Sequence, residues 1–181
     1  MPRHPGRMNT VLLTLGRLPK ALDIARSFAA AGWRVVVAEP HRRHLAGTSR
    51  SVARSIRVTA PAEDPAAYLR DLARVVAEEG VSLVVPVSEE AMHVAFLGPL
   101  LPDGVRLLAM PPDLVLRLHD KHGFALAAAE AGLAVPETFA LDDPAARGLA
   151  DAVDVIVKPV RSCSGRGVRR LPAGTPLPPP E

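Results

Sequence analysis

Cysteine is almost absent from this chain of 181 residues, which contains only Cys163. A single cysteine excludes an internal disulfide and is typical of proteins from a reducing compartment. Aromatic side chains are also scarce, at 3% of the residues, although 48% of the residues are hydrophobic. The core must therefore be built from Ala, Val and Leu, and this composition is typical of a globular chain.

Long apolar runs are missing as well. None approaches the roughly 18 apolar residues of a membrane-spanning helix, and Arg17 and Lys20 interrupt the apolar stretch near the N-terminus too early for a signal peptide. The formal net charge is only +3, and acidic and basic residues alternate along the chain. These features predict a cytoplasmic protein, and they favour neither membrane binding nor nucleic-acid binding.

Short apolar runs alternate with helical patterns over residues 8–110. Five of these runs predict strands, namely TVLLTL, RVVVAE, SIRVTA, VSLVVPV and GVRLLAM. A helix between the third and fourth runs is predicted to begin at a proline after Asp64 and to end at Gly80. None of the runs has an alternating polar face, so we predict an α/β, Rossmann-like domain whose parallel sheet is covered by helices on both faces.

Polar residues follow the first and the fourth predicted strands. In doubly wound sheets, ligands bind at the carboxyl ends of the strands. The candidates for a substrate-facing role are therefore Gly16, Arg17, Ser88, Glu89 and Glu90. For the two glutamates, stabilisation of the N-terminus of the next helix is an equally good alternative.

Residues 111–171 predict a smaller α+β subdomain. Two short helices, capped by Asp113 and Asp120, are followed by an extended stretch, a helix near Pro144, a strand, a glycine-rich loop and a returning strand. The tail, residues 172–181, is rich in proline and is expected to be extended and unpacked.

The strongest candidate for a binding site is the stretch VIVKPVRSCSGRGVRR. The backbone N–H groups and hydroxyls of a loop with Ser162, Ser164, Gly165 and Gly167 suit phosphate oxygens. A P-loop has its lysine at the end of the loop, whereas Lys158 precedes this one. The chain contains three lysines and 19 arginines, so lysine is not its default cation, and a compact ammonium suits phosphate. A surface hairpin with solvated basic residues is the alternative.

The order of these features resembles the N-terminal part of the ATP-grasp superfamily, a pre-ATP-grasp α/β domain followed by the first ATP-grasp subdomain. The resemblance covers residues 9–171 and rests on TLGR, PVSEEA, LHDKHGFALAAAEAGLAVPET and VIVKPVRSCSGRGV, in that order. It implies that Lys121 and Lys158 contact the phosphates of ATP. It also implies a loop that closes over the triphosphate with Ser162, Ser164, Gly165, Arg166 and Gly167.

Enzymes of this superfamily activate a carboxylate as an acyl phosphate, which an amine then attacks. The resemblance thus implies ATP, Mg²⁺ and a small carboxylate substrate as partners. The family's magnesium ligands follow the glycine loop, but the only acidic residue after Asp154 is Glu181. We therefore expect no metal ligand in this chain and no activity by the chain alone. A partner that is a second copy, or a chain that complements the missing C-terminal part, is left open.

Two functions of other classes stay open. The chain is alternatively a non-catalytic nucleotide-binding or interaction module, whose hairpin binds a phosphorylated ligand or nothing. A dinucleotide-binding oxidoreductase would need the pattern GxGxxG after the first strand, where TLGRLPKA has one glycine. Cys163 has no histidine nearby in the sequence to act as a base, so we expect a passive role for it.

Overall fold

The computed structural model describes residues 9–162 and 165–180. These residues form two compact units, one up to Val115 and one from Leu116. The first contains a five-stranded parallel sheet, and the second contains a two-stranded antiparallel sheet. The predicted fold class, a Rossmann-like sheet followed by a small α+β subdomain, is confirmed. The proposed segment boundaries at 110 and 171 stay predictions, and the proposed start at Met8 lies outside the described residues.

The first unit has the strand order β3-β2-β1-β4-β5, with every pair parallel. Its strands are β1 (Thr10–Leu13), β2 (Arg34–Glu39), β3 (Arg54–Arg57), β4 (Leu83–Val85) and β5 (Arg106–Leu107). Its helices are α1 (Pro19–Ala30), α2 (Pro65–Glu79), α3 (Ala91–Val94) and α4 (Pro112–His119), the last of which continues beyond Val115. Because the order reverses between β1 and β4, their carboxyl ends flank the crevice in which ligands of such sheets bind.

Two apolar clusters bury the sheet on both faces. Successive side chains of a strand point to opposite faces, so Leu13 packs in one cluster with Ala25 of α1. Leu12, the preceding residue, packs in the other cluster with Tyr68 and Leu72 of α2. All four residues of β1 are buried, as the continuous apolar run predicts.

Helix α2 begins and ends where the sequence predicts. Asp64 accepts a hydrogen bond from the N–H of Ala67 at 2.8 Å, and Pro65 occupies the first helical position. Gly80 ends the helix with a φ of 59°, in the left-handed region that glycine adopts without a steric penalty.

Two predicted elements of the first unit are shorter than expected. Between the fourth and fifth predicted strands, the stretch SEEAMHVAFLGPLL predicts one helix. In the structure, α3 ends at Val94 and a 3₁₀ helix continues over Ala95–Leu100. Pro99 lies within this 3₁₀ helix, and the missing N–H of proline interrupts the α-helical hydrogen-bond ladder. Strand β5 contains only Arg106–Leu107, because it lies at the edge of the sheet and pairs only with β4, which is three residues long.

The second unit contains α5 (Lys121–Glu130), α6 (Pro144–Ala152), β6 (Val155–Val157) and β7 (Arg169–Leu171). Strands β6 and β7 are antiparallel, so the predicted returning strand after the glycine loop is confirmed. Asp120 caps α5 by accepting from the N–H of Gly123 at 2.8 Å. Asp113, predicted as a cap, instead lies inside the first turn of α4, because that helix already begins at Pro112.

The prediction that the tail does not pack is wrong for its described part, residues 172–180. The N–H of Ala173 donates to Oδ1 of Asp154 at 3.0 Å, and the N–H of Gly174 donates to the carbonyl of Ala150 at 2.9 Å. Gly174 has a φ of 77° and so forms the turn there. Leu177 and Pro178 are half-buried. Proline lacks a donor but not an apolar surface, so an extended segment packs without forming a regular element.

The two units differ in their cores. Of the buried hydrophobic residues in the described part of the chain, only Ala128, Ala146 and Ala150 belong to the second unit. That unit leaves larger side chains exposed, among them Phe124 at 53% and Ile156 at 56%. Across residues 9–162 and 165–180, no helix is both long enough and apolar enough to span a bilayer.

Candidate functional site

A cavity of about 1010 Å³ lies within the second unit. Its walls come from β6, from the extended residues 136–142, from α6 and from the tail. Lys121 and Lys158 both line it, as does Gly167 from the glycine loop. The volume is at the upper end of the range typical of small-molecule sites, and the two ammonium groups suit an anionic ligand.

Lys121 is the first residue of α5 and contacts the beginning of the glycine loop. Its Nζ donates to the carbonyl of Ser162 at 2.8 Å and to the Oγ of the same residue at 3.0 Å. The carbonyl of Val160 accepts from the backbone N–H of Lys121 at 3.1 Å and lies 3.5 Å from Nζ. The structure therefore brings together Lys121 and Ser162, two residues that the sequence places in one site.

Lys158 directly follows β6, and its side chain is exposed. Within the described part of the chain, no ion pair or side-chain hydrogen bond engages its ammonium. It lines the same cavity as Lys121, where its ammonium is exposed and, among the described residues, holds no internal contact.

Two glycines shape the turn between β6 and β7. Gly165 and Gly167 have φ values of 73° and 72°, which side chains with a Cβ rarely adopt. A Cβ at Gly167 would lie 2.6 Å from Cγ of Pro159, so the backbone approaches that ring closely. Gly165 and Arg166 are exposed. Ser164, the remaining predicted loop residue, lies outside the described residues, as does Cys163.

In the first unit, the predicted residues Gly16 and Arg17 contact a carboxylate that the sequence analysis missed. Glu39 is the last residue of β2 and is fully buried, with 0% of its side chain exposed. Its Oε2 accepts from the N–H groups of Gly16 and Arg17 at 2.8 and 3.2 Å, and its Oε1 pairs with the Arg17 guanidinium at 3.0 Å. The sequence did contain a signal for this residue. Glu39 ends a buried apolar strand, and a buried carboxylate needs hydrogen-bond donors nearby.

Glu90 connects the carboxyl ends of β1 and β4. Its Oε1 accepts from Oγ1 of Thr14 at 2.9 Å and from the N–H groups of Val87 and Ser88 at 2.6 and 3.1 Å. Glu90 is buried, whereas Glu89 is exposed. Of the two glutamates, Glu89 is thus the one that meets solvent at this edge.

Lys20 is a second residue that the sequence analysis passed over. Its Nζ donates to Oγ of Ser88 at 3.1 Å, which joins the start of α1 to the loop after β4. The rarity of lysine in the sequence is the signal that could have identified Lys20. The three lysines of the chain lie at this edge and in the cavity of the second unit.

Two further groups near Glu90 titrate away from their usual range. Burial raises the pKa of the Tyr68 phenol, and the charge of Glu90 raises it further. The phenol stays protonated and donates to the carbonyl of Thr14 at 3.4 Å. Burial lowers the pKa of His93, against the opposing effect of Glu90. Both groups are therefore neutral near pH 7.

The described residues contain no group of three or more His, Cys, Asp or Glu side chains that could hold a metal ion. Asp120 and Asp154 line the cavity, but each already accepts internal hydrogen bonds, from Gly123 and from Ala173 and Arg170.

Three solved structures resemble nearly the whole chain. The biotin carboxylase domain of Hydrogenobacter thermophilus 2-oxoglutarate carboxylase, in complex with MgADP, ADP and bicarbonate, has a TM-score of 0.70 at 19% identity over 93% of this chain and 38% of that one. The L-amino acid ligase of Bacillus licheniformis has a TM-score of 0.65 at 18% identity over 93% of this chain and 40% of that one. The Staphylococcus aureus N5-carboxyaminoimidazole synthetase has a TM-score of 0.63 at 17% identity over 91% and 41%.

The chain matches no protein-family model and no curated protein sequence. It spans about two fifths of the length of the three solved structures. At identities below 20%, these matches show a likeness of fold alone. In this chain, the matched fold consists of the parallel sheet and the glycine hairpin described above. The chain therefore shares its fold with the matched parts of these three structures.

Proposed function

We propose that the chain is the ATP-binding N-terminal part of an ATP-dependent carboxylate–amine ligase. The observation that carries this proposal is the cavity of about 1010 Å³ that Lys121, Lys158 and Gly167 line together. One solved structure with the same fold is a complex with MgADP, which supports a nucleotide as the ligand here.

The cavity offers different surfaces to the two ends of a nucleotide. Ile156 and Phe139 line it with partly exposed apolar side chains, which suit the flat face of a base. Lys158 offers an exposed ammonium to the phosphates. At about 4 Å and an effective dielectric of about 20, one such charge pair contributes roughly 4 kcal/mol of Coulomb energy.

Mg²⁺ would neutralise phosphate charge in such a ligase. The described residues of this chain do not fit that ion, because they hold no cluster of carboxylates or other ligands. We therefore assign no magnesium-dependent step to this chain and propose that the metal ligands come from a C-terminal part. This chain alone is not proposed to form an acyl phosphate.

The carboxyl edge of the first unit is the proposed site for the small carboxylate substrate. Lys20, Ser88 and Arg17 present polar groups there, while Glu39 and Glu90 hold the loops from within. The Arg17 side chain is 46% exposed despite its ion pair with Glu39, so it retains N–H groups for a carboxylate. We also propose that the protein is cytoplasmic, and that it assembles with a second copy or with a complementing chain.

A non-catalytic nucleotide-binding module is the second candidate. It is favoured by the same lack of a metal-binding cluster among the residues that the structure describes. A dinucleotide oxidoreductase is not proposed. In such enzymes an acid about 20 residues after the glycine motif binds the ribose, but Glu39 already accepts from Gly16, Arg17 and His41.

Calorimetric titration of the full chain with ATP tests the proposal. We expect Lys158→Met to weaken ATP binding about tenfold, the effect of losing one hydrogen-bonded charge. Arg147→Met is the matched control, because Arg147 is an exposed cation of α6 in the same unit that does not line the cavity, and it should leave the dissociation constant unchanged. Equal affinities for wild type and Lys158→Met, or no ATP binding by the wild type, would contradict the proposal.

The intact mass of the protein from its source cell separates the two candidates. A product of roughly twice 19.2 kDa would support the ligase, because it leaves room for a second subdomain. A product near 19.2 kDa that binds ATP would favour the non-catalytic module.

A further inference from the structure

We infer that Lys121 is a positioning residue that anchors the beginning of the glycine loop before any ligand binds. The anchored segment, called the loop entry below, is Val160 to Ser162. This inference goes beyond the proposed function and does not depend on it, because every contact that carries it lies within the ligand-free chain.

The donors of Lys121 are matched to oxygens of the loop entry. An ammonium carries three N–H donors and no acceptor. The carbonyl and Oγ of Ser162 lie 2.8 and 3.0 Å from Nζ, and the carbonyl of Val160 lies at 3.5 Å. The backbone N–H of Lys121 donates to the same Val160 carbonyl at 3.1 Å. One residue therefore holds the loop entry on both sides of Arg161.

The backbone of Lys121, the anchoring residue, is itself held in place. Asp120 caps α5 through the N–H of Gly123, which sets the backbone of Lys121 as the first residue of that helix. The hydrogen bonds of Lys121 Nζ join residues that are 39 and 41 positions apart in the sequence. The buried hydrophobic residues of this unit, among those described, are three alanines. Because apolar packing contributes little there, charge-assisted hydrogen bonds, which are stronger than neutral ones, become decisive for the loop entry.

The anchor also constrains how a phosphate could meet this lysine. With three oxygens already around Nζ, a phosphate oxygen must displace one of them or share a donor. The Val160 carbonyl, at 3.5 Å, is the most weakly held. Lys158 has no such commitment among the described residues, so the two lysines differ in role although they line one cavity.

Limited trypsin digestion of the ligand-free full chain tests the anchor, because the bond after Arg161 lies between the two anchored carbonyls. We expect Lys121→Met to speed cleavage after Arg161 about 5- to 10-fold, the effect of losing a hydrogen-bonded charge. Lys121→Arg, which restores a cation, should recover at least half of the protection. Lys158→Met should leave the rate unchanged.

Cleavage after Arg147, an exposed residue of α6 in the same unit, reports global unfolding and should stay constant. The inference is overturned if Lys121→Met leaves cleavage after Arg161 unchanged, or if cleavage after Arg147 rises in parallel. It is also overturned if Lys121→Arg is cleaved as fast as Lys121→Met, since packing rather than the ammonium would then hold the segment. None of these outcomes depends on nucleotide binding.

Discussion

At the scale of single residues, two buried carboxylates stabilise the loops at the carboxyl edge of the sheet in the first unit. A buried carboxylate is costly unless donors surround it, and Glu39 and Glu90 each accept three or more hydrogen bonds from loops of the edge. Both therefore fix loop geometry. The groups that remain for a ligand are those that reach solvent, such as Lys20 and Glu89.

Substitution of Glu90 by Gln tests this role. The amide keeps one acceptor oxygen but loses the charge that strengthens three hydrogen bonds, so the free energy of unfolding should fall by about 1–2 kcal/mol. Glu89→Gln is the matched control, because Glu89 is exposed, and it should change stability by less than about 0.5 kcal/mol. Urea denaturation measures both. Equal effects of the two substitutions would contradict a structural role for Glu90.

His93 predicts a pH dependence of stability. Burial lowers its pKa in the folded chain below the ordinary value of 6.5, so in that window the unfolded state binds more protons than the folded state. Stability should therefore fall as the pH drops through 6.5 towards the folded pKa. Denaturation midpoints measured from pH 7.5 to 5 should slope less in His93→Gln than in wild type. The exposed His41 supplies the control His41→Gln, and a slope that His93→Gln does not change would contradict the prediction.

At the scale of elements, the loop between β1 and α1 requires glycine at position 16, because its neighbours leave no space for a Cβ. A Cβ at Gly16 would lie 2.8 Å from Cγ1 of Val37 and closer still to the ring of His44. His44 itself is fixed, because its Nδ1 accepts from the N–H of Gly47 at 3.1 Å and its Nε2 contacts Oγ of Ser55. The neighbours of Gly16 therefore have little room to move.

We expect Gly16→Ala to destabilise the first unit by about 1–3 kcal/mol, the typical cost of overpacking. Gly98→Ala is the control, since a Cβ there meets nothing within 4 Å, and it should stay within about 0.5 kcal/mol of wild type. Urea denaturation followed by Trp33 fluorescence gives both values. A Gly16→Ala protein as stable as Gly98→Ala would show that the loop relaxes freely.

One exposed carboxylate, Asp154, holds the base of the tail together with the hydrogen bond from Gly174 to Ala150. Oδ1 of Asp154 accepts from the N–H of Ala173, and Oδ2 pairs with Arg170 at 2.7 Å. These two contacts, the backbone one first, lower the pKa of Asp154. The stabilisation is therefore present above the ordinary pKa of about 3.9 and is lost as the pH falls through the lower, folded value.

Asp154→Ala should loosen the tail at Ala173. At pH 6 we expect the amide of Ala173 to exchange with solvent about 5- to 10-fold faster than in wild type, because its acceptor is gone. Asp151→Ala, at an exposed position of α6, should not change that rate. Amide exchange followed by NMR distinguishes the two variants, and identical rates in both would mean that the tail is held elsewhere.

At the scale of the whole molecule, the unequal cores predict unequal stability. The hydrophobic clusters of the sheet lie in the first unit, while the second buries only alanines among its described residues. Burial of about 25 cal/mol per Å² of apolar surface is the main stabilising contribution. The second unit should therefore unfold at lower denaturant concentration.

Two optical signals separate the units. Trp33 is the only tryptophan of the chain and belongs to the first unit, whereas circular dichroism at 222 nm reports helices of both. We expect the dichroism to begin falling before Trp33 fluorescence changes, since non-coincident probes reveal a transition that is not two-state. Coincident curves would show that the two units unfold together.

Sequence patterns predicted the sheet because its strands are continuous apolar runs, and they predicted α2 because Asp64, Pro65 and Gly80 mark its ends. They did not predict the 3₁₀ segment that contains Pro99. They also did not predict how short β5 is, because the length of a strand at a sheet edge is set by the neighbouring strand. Glu39 and Lys20 were missed for a related reason. Arg17, which contacts Glu39, and Ser88, which contacts Lys20, lie 22 and 68 residues from their partners, and only the folded chain brings them together.

The scarcity of lysine makes this protein unusually simple to label. A reagent that acylates amines meets only Lys20, Lys121 and Lys158 among the side chains, in a chain where arginine supplies the other cations. The three are in different surroundings, one beside a serine, one enclosed by loop oxygens and one exposed. The relative rates of acylation thus report separately on the sheet edge, the loop and the cavity, without any mutation.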